Sequence, residues 1–202
     1  MTLERKLLIA TTNKKKGGEM AEILKAADLG IAFTSLADYP DAPEVDETGD
    51  TFMANAVLKA DAAVELTGLV SIADDGGLCI DALDGQPGVY SHRFLGADTP
   101  FPEKMRQILE MMKDVPLEKR TCRFQCAVVV ATPDGGRYEC MGICEGHIGY
   151  AMRGDHGFGY DPIFVVSEIG KHMAELSPHE KHQISHRGKA LAQAVTVLRT
   201  LF

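Results

Sequence analysis

Three groups of residues carry side chains able to do chemistry. Thr11-Thr12-Asn13 runs into Lys14, Lys15 and Lys16 and then Gly17-Gly18. Backbone N–H groups at a helix start, with hydroxyl, amide and ammonium groups beside them, suit phosphate oxygens. The tract lacks the G-x-x-x-x-G-K-[ST] pattern of a Walker loop, so a plain basic loop is the alternative. Asp74-Asp75-Gly76-Gly77 follows the apolar run LVSIA, and Glu47 stands upstream in an acidic stretch as a possible partner. Two adjacent carboxylates emerging from a buried strand cost desolvation and repel each other, so a cation should offset them. Mg2+ suits that place, because it takes carboxylate oxygens together with substrate phosphates and retained waters. Asp-Gly pairs also serve as caps and turns; the flanking glycines, which let a ligand approach, favour the metal. Gly157-Phe158-Gly159-Tyr160-Asp161 and the later run KHQISHRGK from Lys181 form the third group. An aromatic ring beside Arg, His and amide donors fits a nucleobase, with stacking for its face and donors for its edge. His179, His182 and His186 are the alternative, as metal ligands, but their spacing is not HExxH.

These groups need elements to hold them. Lys6 to Thr12 reads as a strand, NKKKGG as a basic loop, and Met20, Ile23, Leu24 and Ala27 as one face of a helix that Gly30 ends. Ile31 to Leu36 can make a second strand. Asp38 to Asp50 holds six acidic residues, two prolines and no base, a loop signature. Phe52, Ala56, Ala63 and Val64 mark a longer helix stopped by Gly68. Leu69 to Ala73 is a buried strand running into the two aspartates, and Leu78 to Leu83 a further one. Pro100 and Pro102 open a helix with Met105, Ile108, Leu109 and Met112 on its core face, and PDGG turns a hairpin between Thr121–Thr132 and Arg137–Ile148. PIFVV is another strand, Ser177-Pro178-His179-Glu180 starts a helix, and Leu191, Ala194, Val195, Leu198 and Leu201 line the last. The prediction is an α/β protein with a mixed sheet, a single domain over 1–202, and its ligand groups outside the strands' carboxyl ends.

Composition narrows the function. The 202 residues carry 21 basic and 29 acidic side chains, a net charge of −8, which disfavours a nucleic-acid or anionic-membrane coat. No apolar run reaches the 18 or so residues of a membrane span, and the start lacks the shape of a secretory signal, so a cytoplasmic protein is expected. Five cysteines argue against a disulfide framework. Cys122/Cys126 and Cys140/Cys144 are two C-x3-C pairs that could bind zinc. Their β-like surroundings favour buried thiols instead.

The segments ATTNKKK, DETGDTFMANAVLKA, IADDGGL, GQPGVYSHRF, HGFGYDPIF and ELSPHEKHQISHRGKAL, in this order and spacing, resemble the Ham1/inosine triphosphate pyrophosphatase family, the RdgB-type pyrophosphatases of non-standard purine nucleotides. The resemblance implies an elongated mixed central sheet flanked by helices, two lobes with a cleft between them, and a homodimer. It implies Mg2+-dependent hydrolysis of ITP, dITP and XTP to the monophosphate and pyrophosphate. By motif position, Thr11, Asn13, Lys16 and Lys59 would hold the triphosphate, and Glu47, Asp74 and Asp75 the metal. Phe158 would stack on the purine, with Gly159 and Tyr160 beside it in the substrate-binding loop; Asp161 would sit beside phosphate or sugar. Lys181, Ser185, His186 and Arg187 would face the base and its 6-keto oxygen. Gly76 stands where most bacterial members have serine, so a hydroxyl beside the metal or phosphate is missing.

The chemistry expected is in-line attack of water on the α-phosphorus. Lys16 and Lys59 take up charge on the leaving pyrophosphate, and Asp75 orients or deprotonates the water, with metal ligation its competing role. Hypoxanthine and xanthine offer an acceptor at position 6 where adenine offers a donor, so a donor there discriminates them. Two rivals stand beside this reading: a Maf-like pyrophosphatase of other nucleotides, and a catalytically silent nucleotide-binding module with Gly76 as its lesion.

Overall fold

A computed structural model describes residues 5–40, 42–43 and 45–202. The apolar run KLLI forms β1 (Lys6–Ile9), three of whose four residues are buried. Helix α1 (Lys14–Ala26) begins where the Asn13 side chain accepts the backbone N–H groups of Lys15 and Lys16 at 3.0 and 3.1 Å. That cap satisfies two donors that no helical carbonyl can reach, so the three lysines and both glycines of the expected basic loop lie inside the helix instead. β2 (Ala32–Ser35) follows. Of the acidic loop, Asp41 and Glu44 lie outside the described residues, as do residues 1–4 at the start of the chain.

Thr51 caps α2 (Phe52–Thr67) by accepting the Ala54 N–H at 3.1 Å, and Gly68, with φ 66°, ends it in the left-handed conformation. Phe52, Asn55, Ala56, Ala60 and Ala63 form its buried face. The next strand departs from expectation. β3 (Val70–Ile80) is one continuous strand of 11 residues, not two strands meeting at the aspartates. Gly76 and Gly77 are not among the glycines with positive φ. A Cβ on Gly77 would stand 2.2 Å from Ser91 Oγ, so this glycine serves a close approach rather than a turn. Asp74 and Asp75 therefore sit in mid-strand, both buried.

After α3 (Phe101–Met111), β4 (Thr121–Ala131) and β5 (Arg137–Ile148) are joined by a tight turn in which the Thr132 N–H donates to the Gly136 carbonyl at 2.9 Å. Then come β6 (Phe164–Val166), α4 (Pro178–Ile184) and α5 (His186–Leu201). Ser177 and Glu180 cap α4 reciprocally, and Ser185, with ψ 157°, breaks the backbone between the two helices. KHQISHRGK thus spans a helix break. The six strands form one sheet in the order β2-β1-β3-β4-β5-β6; β1 runs parallel to β2 and β3, whereas β5 and β6 are antiparallel. Among the described residues no helix is long and apolar enough to cross a membrane.

Two compact units divide the chain. The first holds the described residues up to 75 together with 126–142 and 187–202, with a core of Leu7, Ile9, Ile72, Val128 and Val130 against Met20, Leu24, Leu191 and Leu198. The second holds 76–125 and 143–186, with Leu78, Ile80, Phe124, Ile148 and Phe164 against Met105, Ile108 and Met112. The two C-x3-C pairs separate: Cys126 and Cys140 lie in the first core, Cys122 and Cys144 in the second. All five cysteines are free thiols.

Candidate functional site

In the first unit, charged side chains gather around the middle of β3. Lys59, on α2, sets its Nζ 2.8 Å from Glu47 Oε1 and 3.3 Å from Asp75 Oδ1. Lys16, on the first turn of α1, stands 3.9 Å from both Asp74 Oδ2 and Asp75 Oδ1. Thr11 Oγ1 accepts the Asn13 N–H at 3.2 Å, which fixes the turn leading into α1. The fold thus brings Lys16 and Lys59, expected at the triphosphate, together with Glu47, Asp74 and Asp75, expected at the metal. Arg187 belongs here too, and not with the base-facing residues among which it was expected. Its Nε and Nη2 donate to Asp74 Oδ2 at 3.0 and 2.8 Å, and its Nη1 reaches Glu19 Oε2 at 2.7 Å. As the second residue of α5, it points about 100° around the helix from His186.

Arg187 and Cys126 both approach Oδ2 of Asp74, and Oδ1 is buried with no hydrogen-bond partner among the described residues. The neighbouring aspartates titrate in opposite directions. Burial alone would raise the pKa of Asp74, but Lys16, Arg187 and Lys59 together outweigh it and hold the carboxyl well below the usual range. For Asp75, burial prevails over the attraction of Lys59 and Lys16, with Glu47 adding to the rise, so its pKa is raised. Lys59 is raised despite burial because Asp75, Asp74 and Glu47 surround it.

In the second unit, Asp161 Oδ2 accepts the Phe158 N–H at 2.9 Å and an ion pair from Lys181 Nζ at 2.7 Å. Lys181 also lies 4.7 Å from the centre of the Phe158 ring. Asp161, expected beside phosphate or sugar, is buried and holds the aromatic loop in place. Gly157 makes this possible: its φ is 74°, and a Cβ there would fall 2.1 Å from Asp161 Oδ2. After Gly159, which also has positive φ, Tyr160 is buried rather than open for stacking; its hydroxyl donates to the Ser91 carbonyl at 2.9 Å and Phe101 meets its ring edge-on at 5.1 Å. Ser185 closes α4, and the His186 ring stacks on Phe124 at 4.7 Å.

The Ham1 family model matches residues 7–197. This chain belongs to the Ham1 family. It is 48% identical over 189 residues to a dITP/XTP pyrophosphatase of Geobacillus kaustophilus, covering 94% of this chain and 92% of that one. A dITP/XTP pyrophosphatase of Desulforamulus reducens is 45% identical over 197 residues, covering 98% and 97%. Among solved structures, a HAM1 protein of Coxiella burnetii superposes with a TM-score of 0.87 at 40% identity, covering 96% of this chain and 98% of that one.

Two members of this Ham1 chain's charged group escaped the sequence reading. Glu19 pairs with Arg187, and the fully buried Asn55 donates from Nδ2 to Asp75 Oδ2 at 3.1 Å. A signal existed for the second: Asn55 and Lys59 stand four apart on α2 and so share a face.

Proposed function

We propose that the protein hydrolyses dITP, ITP and XTP to the nucleoside monophosphate and pyrophosphate. The observation that carries this reading is the meeting of Lys16 and Lys59 with Asp74, Asp75 and Glu47 in one largely buried group, in a chain whose relatives are named for that activity. Three lysines at the electropositive start of α1 are unfavourable without an anion, and a triphosphate supplies one.

The same group fits a magnesium ion. Its donors are all carboxylate oxygens, and buried Asp74 Oδ1 lacks a partner that a cation would provide. Among the described residues no three acidic, His or Cys groups converge as a ready-made cage. Mg2+ commonly needs only one or two carboxylates when substrate phosphates complete its shell. Asp74 and Glu47 would hold it, with ligation by Asp75 the role that competes with its work on the water, and when bound the ion supplies charge stabilisation at the phosphate oxygens.

This chain's own residues do the rest. Lys16 and Lys59 hold the phosphates and take up charge on the departing pyrophosphate. Asp75 orients the attacking water and takes its proton at Oδ1; its raised pKa makes it a better base than an ordinary aspartate. In the second unit, Phe158 stacks on the purine, with Lys181 and Asp161 fixing the ring. We assign the 6-keto edge to Ser185 and His186, since the Arg187 nitrogens are engaged by carboxylates. A mismatched donor at position 6 leaves polar groups unpaired at about 1–3 kcal/mol, roughly 5- to 150-fold.

The nucleotide pool this activity would serve, and five free thiols, support a cytoplasmic place. A homodimer is the assembly that the family resemblance implies. The test is pyrophosphate release from a panel of dITP, XTP, dATP, dGTP and dTTP with Mg2+. Release from dITP and XTP at least about tenfold faster than from dATP is expected. Equal purine rates would remove the edge discrimination, preference for dTTP would favour the Maf-like rival, and binding without release would favour the silent module.

A further inference from the structure

We propose that Asn55 is a positioning residue of this reaction, whose carboxamide fixes the orientation of the Asp75 carboxylate and at the same time seats the loop carrying Glu47. The proposal takes the role of Asp75 from the reading above and adds the residue that sets its geometry.

Asn55 is fully buried on the alanine-rich inner face of α2, where an unpaired amide would be costly. Both ends of its amide are used, in opposite senses. Nδ2 donates to Asp75 Oδ2 at 3.1 Å, and Oδ1 accepts the Gly49 N–H at 2.8 Å. The partners fix which end is which, because a carboxylate only accepts and a backbone N–H only donates. Aspartate has no donor for Asp75, and leucine offers neither function.

The loop fits against the helix only because residue 49 is glycine. A Cβ there would lie 2.7 Å from Asn55 Oδ1 and 2.7 Å from the Ala54 Cβ. One helical turn further on, Lys59 makes a second bridge between the same two partners, pairing with Glu47 of the loop at 2.8 Å and with Asp75 at 3.3 Å. Asn55 and Lys59 thus form a two-point latch, loop on one side and Asp75 on the other. Because Asn55 holds Oδ2 of Asp75, the other oxygen, Oδ1, is the one that faces Lys59 and Lys16. Oδ1 accepts from Lys59 at 3.3 Å and keeps a second lone pair for a water.

Asn55→Asp and Asn55→Ala separate the two halves of the latch. Aspartate keeps an acceptor for Gly49 but replaces the donor to Asp75 with a like charge; alanine removes both. Steady-state hydrolysis of dITP with Mg2+ is expected to lose about 10- to 100-fold in kcat in each variant, the usual cost of losing a partner that orients a reacting group, with KM changed less than about threefold. Hydrogen exchange at the Gly49 amide is expected to stay slow in Asn55→Asp and to accelerate in Asn55→Ala. A parental kcat in Asn55→Asp, or an equally protected Gly49 amide in Asn55→Ala, overturns the proposal. If Asn55→Asp does not fold, Gly49→Ala probes the latch from the loop side, and an unchanged kcat there overturns it as well. If the parent protein releases no pyrophosphate from dITP, the functional reading fails, and the Gly49 exchange rates alone decide whether Asn55 seats the loop.

Discussion

Asp74 and Asp75 are adjacent in the chain, yet the fold gives them opposite acidities. In a carboxyl-carbon NMR titration of the metal-free protein, Asp74 is expected to titrate below the ordinary 3.8 and Asp75 above it. The effects on stability have opposite sign. The depressed group contributes stability that is complete above pH 3.8 and is lost as pH falls through its folded pKa. The raised group opposes folding while ionised, a penalty relieved as pH falls through its own, higher pKa. Arg187→Met leaves Asp74 buried beside fewer cations and is expected to cost about 3–5 kcal/mol in urea unfolding; a loss below about 1 kcal/mol would show that the pair is not what holds Asp74 ionised. Sequence alone disclosed the five charged residues around β3 because their types announce their chemistry. It misplaced Arg187, since chain neighbours on a helix point different ways, and it passed over Asn55, whose amide lies hidden among alanines.

At the level of elements, Gly68 and Ser177 were legible as a helix stop and start, whereas Asn13, read as part of a basic loop, and Thr51, not singled out, cap helices whose starts only the structure shows. The continuity of β3 was not legible, because two aspartates followed by two glycines look like a strand's end. The close approach of Ser91 and of the Gly88 carbonyl explains why Gly77 is there. The aromatic loop supplies a prediction of its own. Gly157→Ala imposes a left-handed residue, about 1–2 kcal/mol for a side chain, and drives a methyl into Asp161. Phe158 then loses its anchor, and KM for dITP is expected to rise about tenfold, equivalent to 1.4 kcal/mol, with kcat little changed. An unaltered KM would separate the loop from base recognition.

Considered whole, the mixed sheet was legible from early strand and helix alternation followed by a hairpin, but two lobes were expected only from the family resemblance, because the division follows no linker: both units are assembled from separated stretches of chain. The first takes its final part from α5, whose Ala190, Leu191, Ala194 and Leu198 are buried in its core. A chain ending at Ser185 loses two buried leucines, each worth about 1.5–3 kcal/mol, from a net stability of order 5–15 kcal/mol. It is expected to show no cooperative urea transition; a normal one would mean that α5 is dispensable.

The salt bridge between Arg187 and Asp74 also sets an order of events during synthesis. The ribosome delivers Lys16, Glu19, Glu47, Asn55, Lys59, Asp74, Asp75 and Cys126 long before Arg187. Until the last helix emerges, the nascent polypeptide must keep a carboxylate wet that the finished protein keeps dry, so messages cut short near their end should yield products that are cleared by proteases rather than half-active enzyme.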